Sequence, residues 1–177
     1  RKQAMNESEV LGHYPMLTLK SFEQNGWLNK NELEEFTSNE IIDEKYLTQK
    51  GDVIVRLSTP NTAIAVDENS AGILIPSLFT IIRIHSKEIL PEYLSVLLNS
   101  EYMKKIYLKS LVGSAIQVIK TGTLKDISIE LKSVKIQEKV VELNQLIRRE
   151  KMLLEQLLEE KTKYHNAIIN KMIQVER

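Results

Sequence analysis

The sequence predicts an α+β chain: a β-rich domain, built as a curved sheet or open barrel with a packed helix, followed by one long coiled-coil-forming helix. Three observations carry this. Short β-branched runs, Val53-Ile54-Val55-Arg56-Leu57 and Ala63-Ile64-Ala65-Val66, lie between turn signals in the first half. Pro91 then opens a helical pattern with an apolar stripe of Tyr93, Leu94, Leu97, Leu98, Met103, Ile106 and Tyr107. After Ser133, apolar residues fall at Ile136, Val140, Leu143, Ile147, Leu154, Leu157, Tyr164 and Ile168. That is a seven-residue repeat whose two remaining positions, Glu150 and Lys161, are polar.

In chain order, residues 1–12 have no periodicity. Tyr14 to Leu19 alternates and reads as a strand, and Asn25-Gly26 signals a turn before a short return at Trp27-Leu28. Residues 30–44 are acidic and polar, which predicts a short helix or loop. Gly51-Asp52 turns the chain into the strand at 53–57, and Ser58-Thr59-Pro60-Asn61 turns it again toward 63–66. Residues 73–75 and 78–84 read as further strands, 91–109 as one helix and 110–123 as a loop. The alternation Ile127-Ser128-Ile129-Glu130-Leu131 reads as a last strand. Ser133 is the expected N-cap of the final helix, which would extend about 60 Å if unbroken to residue 174. The division expected is therefore 1–132 and 133–177.

Composition narrows the class. The 177 residues contain 42% hydrophobic and 27% charged side chains, as a folded domain does. Having no cysteine rules out disulfides, thiolate metal sites and cysteine nucleophiles, and fits a cytoplasmic protein. No apolar run reaches the roughly 20 residues that span a bilayer. The 24 basic and 24 acidic residues cancel, but unevenly. Residues 1–85 have 8 Lys/Arg against 12 Asp/Glu, whereas residues 86–125 have 6 against 3. Lys104, Lys105, Lys109, Lys120 and Lys125 make this basic window, which is either a nucleic-acid footprint or a solvated helix face.

Catalytic patterns are missing. His13, His85 and His165 are scattered, and no Walker, GxSxG or GxGxxG sequence occurs. Glu130-Leu131-Lys132 has the Glu-x-Lys form of metal-dependent nucleases. No Asp lies between Asp67 and Asp126 to share a cation with it. The reading is of a non-catalytic chain without a metal or cofactor of its own.

Taken in order, Tyr46-Leu47, Lys50-Gly51-Asp52-Val53-Ile54-Val55, Pro91-Glu92-Tyr93-Leu94 with Leu97-Leu98-Asn99-Ser100, Gly113-Ser114-Ala115-Ile116, Leu124-Lys125-Asp126-Ile127 and Ile136-Gln137-Glu138-Lys139-Val140 form a distinctive series. It resembles the specificity subunit of type I restriction-modification systems, from about Tyr14 to the C-terminus. The match is to one target-recognition domain and one spacer helix, half of the family's usual chain. Two departures stand out. Glu130, Lys132 and Ser133 replace the prolines that family members carry before the helix-start Gln, and Ser58-Thr59-Pro60-Asn61 replaces a Gly-rich turn.

The resemblance implies a reader of double-stranded DNA. Its partners would be modification subunits, which methylate adenine with S-adenosylmethionine, and a restriction subunit. It implies a homodimer paired antiparallel through Val140, Leu143, Ile147, Leu154, Leu157 and Ile168, or else one half of a longer chain. Phosphate contacts are expected from Lys104, Lys105, Lys109 and Lys120. Base-edge contacts are expected from Arg56, Ser58, Asn61, Gln117 and Thr121, with Lys20, Asn25 and Lys30 as weaker candidates. The competing reading is a protein-interaction module that dimerises through the coiled coil and binds no DNA.

Overall fold

In the computed structural model, which describes residues 10–22, 28–59, 61–111 and 118–175, the run at Val53 forms the central strand of a three-stranded antiparallel sheet. The strands are β1 (Gly12–Met16), β2 (Glu34–Ser38), β3 (Val53–Arg56), β4 (Ala63–Ala65) and β5 (Phe79–Ile82). β3 lies between β4 and β5, with Ile54 opposite Ile64 on one side and Ile81 on the other. Side chains alternate across a strand, so Ile54 enters one cluster with Leu17, Phe22, Ile64 and Phe79. Val53 and Val55 enter a second cluster with Ala63, Leu94, Leu98, Met103, Tyr107 and Ile119. Burial on both faces explains why this strand reads as an unbroken apolar run.

β1 and β2 form a separate antiparallel pair in which Tyr14 faces Phe36. Neither sheet closes into a barrel. Here two expectations are corrected. Residues 34–38, expected as helix or loop, are strand, because pairing with β1 overrides a sequence with few β-formers. The first strand also sits earlier than the expected 14–19: the chain leaves it after Met16, and Leu17 turns into the core. Residues 73–75 make no ladder of their own. Leu74 instead bridges Met16 on one side and Leu47 on the other.

The helices are α1 (Pro91–Leu98), α2 (Glu101–Leu111), α3 (Thr121–Lys125) and α4 (Val134–Val175). The single helix expected over 91–109 is broken at Asn99-Ser100. Asn99 Oδ1 accepts from the Ala63 amide at 2.7 Å and its Nδ2 donates to the Ala63 carbonyl at 2.8 Å. That clamp joins the end of α1 to β4. Ser100 Oγ then accepts from the Met103 amide and starts α2. α3 lies where a loop was expected. The strand expected at 127–131 is also corrected: the segment has no ladder partner among the described residues, although Ile127 and Ile129 pack against the second cluster.

Two more polar groups fix the scaffold. Gly51, at φ +85°, adopts the left-handed turn that the strand start requires. Beside it Asp52, 2% exposed, accepts from Arg83 Nε at 3.0 Å, Arg83 Nη2 at 2.9 Å and the Gln49 amide at 2.8 Å. Hydrogen bonding to Asp52 raises the Arg83 pKa above its ordinary value. Gln137, in the first turn of α4, is fully buried. Its Oε1 accepts from the Leu90 amide at 2.9 Å, and its Nε2 donates to the carbonyls of Glu88 at 2.7 Å and Lys132 at 2.8 Å. The Ser133 carbonyl accepts from the amides of Ile136 and Gln137, so the helix begins where its sequence says it should.

The chain divides into two compact units, Arg1–Glu138 and Lys139–Arg177. The second unit is the continuation of α4, a 42-residue helix overall and so about 60 Å long. Within it Leu143, Ile147, Leu154, Leu157 and Ile168 are exposed, and Val140 is half-buried. The polar side carries pairs such as Lys163 with Glu159 at 2.7 Å and with Glu160 at 3.0 Å. Such pairs, three and four residues apart on one helix face, give a lone helix modest support that salt screens. No helix of the described residues is long and apolar enough to cross a membrane.

Candidate nucleic-acid interface

The turn after β3 and the start of α3, remote in sequence, meet in space. Ser58 bridges Val118 in antiparallel register, and the Ile119 amide donates to the Leu57 carbonyl at 2.9 Å. Leu57 and Ile119 are buried, while Arg56, Ser58 and Val118 are half-buried and Lys120 is exposed. Alternation thus turns Leu57 and Ile119 inward and the polar residues outward. Arg56, Ser58 and Asn61 share the turn after β3, and Lys120 and Thr121 follow directly on the segment that pairs with it. Gln117 lies outside the described residues, as do Asn25, Pro60 and the Gly113-Ser114-Ala115 stretch.

The candidate residues differ in how free they are. Arg56 Nε donates to Ser58 Oγ at 3.0 Å and its Nη2 to the Thr59 carbonyl at 3.3 Å, which fixes the guanidinium plane. Burial lowers the Arg56 pKa from its ordinary value, and it stays cationic at any physiological pH. Asn61 Nδ2 donates to the Leu57 carbonyl at 2.7 Å and approaches the Arg56 carbonyl at 3.4 Å, so its amide nitrogen closes the turn. An Asn that reads adenine needs the same nitrogen as a donor. Thr121 opens α3 and is exposed.

The second group sits on α2. Its buried stripe of Met103 and Tyr107 faces the second cluster, which leaves Lys104, Lys105 and Lys109 exposed. Lys104 pairs with Glu101 at 2.8 Å, and the hydrogen bond holds the Glu101 carboxyl below its usual pKa. On the same helix Tyr102 and Leu108 are also exposed, an apolar component that charge counting does not reveal. The buried Tyr107 hydroxyl has no hydrogen-bond partner among the described residues, and burial pushes its pKa up to about 12. Of the weaker candidates, Lys30 donates to the Asn69 carbonyl at 2.6 Å and Lys20 is exposed.

The remaining polar features do not gather into a second site. Glu130 and Lys132 pair with each other at 2.7 Å in the open. His13 bonds Glu35 at 2.7 Å on the β1–β2 surface. No cluster of three or more potential metal ligands occurs among the described residues. An open hollow lined by Lys50, Asp52, Arg83, His85 and Pro91 contains none of the candidate DNA-binding residues.

The pairing of residues 58 and 118 escaped the sequence reading. Its only trace there is the apolar pair Val118-Ile119 ahead of Lys120, too short to register as a strand.

No family model and no curated protein matches the sequence. Solved structures do. The HsdS subunit from Thermoanaerobacter tengcongensis aligns with a TM-score of 0.65 at 17% identity, over 80% of this chain and 37% of that one. A chain from a structure addressing complex assembly and conformational transition of the type I R-M system aligns with a TM-score of 0.66 at 16% identity, again over 80% and 37%. The chain therefore spans well under half of the solved chains it matches. The fold is that of part of a type I specificity subunit: a β-rich domain with a packed helix, running into one long helix.

Proposed function

We propose that the chain is the DNA-recognition subunit, or one half of it, of a type I restriction-modification system. The observation that carries the reading is the fold shared with HsdS over 80% of the chain. The order of sequence motifs reaches the same family independently. In this reading the domain comprising residues 1–132 contacts double-stranded DNA, while the helix from 133 onward sets the distance between two such domains. Methylation by S-adenosylmethionine and cleavage belong to partner subunits, and this chain carries out neither. The setting is the cytoplasm, where the DNA is.

Two tests separate this from a coiled-coil interaction module. Lys104, Lys105 and Lys109 lie exposed on one helix, and phosphate contacts add up. Changing all three to Glu is expected to abolish DNA-dependent methylation by the assembled complex while the domain stays folded. Unchanged methylation would count against recognition through α2.

The second test concerns assembly. The exposed residues Leu143, Ile147 and Leu154 repeat at coiled-coil spacing, and a second copy of this helix would cover them antiparallel. Two identical domains related by a two-fold axis then read inverted-repeat half-sites around an unread spacer. Glu at these three positions is expected to give monomers on sedimentation with the β-rich domain intact. A dimer that survived would place the interface elsewhere.

A further inference from the structure

Arg56 is held more firmly than a surface cation needs to be. Its backbone is fixed on both edges of β3: it faces Phe79 of β5 on one side, and its amide donates to the Thr62 carbonyl at 2.8 Å on the other. The side chain is half-buried and is fixed in turn by the segment that follows the strand. Nε donates to Ser58 Oγ at 3.0 Å and Nη2 to the Thr59 carbonyl at 3.3 Å. Both bonds lie along one side of the guanidinium, its Nε–Nη2 edge. A guanidinium carries five N–H donors in one rigid plane. The two at the tip, one on Nη1 and one on Nη2, run parallel and have no partner among the described residues. No ion pair among those residues engages Arg56 either, whereas Arg83, just after β5, spends the same edge on the Asp52 carboxylate. Asn61, on the same turn, has its amide nitrogen on the Leu57 carbonyl at 2.7 Å.

We propose that Arg56 reads a guanine in the major groove, taking its O6 and N7 on the two parallel tip donors. This rests on the DNA-recognition reading and deepens it, selecting Arg56 from the base-edge candidates and naming its base. O6 and N7 lie side by side in the plane of guanine and both accept. Adenine puts an amino donor where guanine has O6, and neither pyrimidine offers such a pair. A fork whose plane is preset by Ser58 and Thr59 loses little freedom on meeting that edge, and it cannot swing to relieve a mismatch. A phosphate makes no such demand. Its oxygens accept from many directions, and the flexible lysines of α2 suit it better. Ser58 is then a positioning residue that acts through Arg56.

In the test, the full chain with its modification subunits selects sequences from a random duplex pool, and affinity for the selected duplex is read against salt. The selected half-site should contain a guanine at which 7-deazaguanine, which lacks the N7 acceptor, weakens wild-type binding about tenfold. Arg56→Gln should weaken binding at least as much, change the base preference at that position alone and leave the salt dependence as it was. It should also be indifferent to 7-deazaguanine there. Ser58→Ala should blunt the 7-deazaguanine effect at the same position, which keeps the assignment testable if Arg56→Gln unfolds the turn. A selected motif without guanine, or 7-deazaguanine tolerated at every position, would overturn the proposal. So would 7-deazaguanine sensitivity undiminished in the folded variants, or a loss uniform across sequences that flattens the salt dependence by about one phosphate contact. A wild-type chain that bound no duplex, alone or with its modification subunits, would instead sink the DNA-recognition reading, and the guanine contact with it.

Discussion

Arg83→Met is expected to destabilise the first unit by about 3 kcal/mol or more, the largest effect of any single change outside the apolar core. The reason is asymmetry. Asp52 is 2% exposed, and without Arg83 its carboxylate retains only the Gln49 amide at 2.8 Å. A buried charge that loses its counter-ion pays desolvation with little in return. The Leu47 carbonyl, which accepts from Arg83 Nη2 at 3.2 Å, loses a donor as well. Asp52→Asn added to Arg83→Met removes the stranded charge and preserves an acceptor for Gln49. The double variant should recover much of the loss. Denaturant unfolding at one fixed protein concentration measures both, since any self-association makes stability depend on concentration. A cost below about 1 kcal/mol for Arg83→Met would show that the pair contributes no more than a surface bridge.

Gln137 is expected to come second. Gln137→Leu leaves the Leu90 amide and the Glu88 and Lys132 carbonyls without their partner, at a cost of about 2 kcal/mol. Gln137→Glu is the sharper probe. Its carboxylate still accepts from Leu90, but an oxygen now faces two carbonyl oxygens where the amide donated. The folded state therefore favours the protonated acid, which places the folded pKa above the unfolded value of about 4.3. Stability of this variant should be least perturbed below that value and should fall as pH rises past it, because only the unfolded chain ionises freely. At neutral pH it should be less stable than Gln137→Leu. The opposite order, or no pH dependence beyond that of the parent chain, would remove the account of Gln137 as the anchor of the first turn of α4.

The same residues show what sequence conveys and what it withholds. β3, β4, the start of α1 at Pro91 and the extent of α4 follow from local pattern: β-branched runs, a proline at N1 and a sustained heptad. β2 does not, because Glu34-Glu35-Phe36-Thr37-Ser38 becomes strand only by pairing with β1. Alternation at 127–131 correctly marks Ile127 and Ile129 as the inward side, yet it cannot report whether a backbone partner is present. α1 and α2 have a continuous stripe, and only the tie from Asn99 to Ala63 explains the break between them.

The candidate site was legible in part. Lys104, Lys105 and Lys109 are visible as charge, and the structure leaves them exposed on α2. The meeting of 56–61 with 118–121 depends on tertiary pairing that no local pattern encodes. Several motif residues behind the family resemblance are scaffold. Gly51 makes a left-handed turn, Asp52 holds Arg83, Asn99 clamps β4, and Gln137 anchors α4. Their order identifies an architecture and carries no information about which bases the proposed recognition would select.

The most direct measurement is to map methylated adenines across the genome of a host carrying the system, with this chain and with it deleted. The account predicts one bipartite motif with inverted-repeat halves and a fixed spacer, present with the chain and lost without it. A methylation pattern indifferent to the deletion would contradict it.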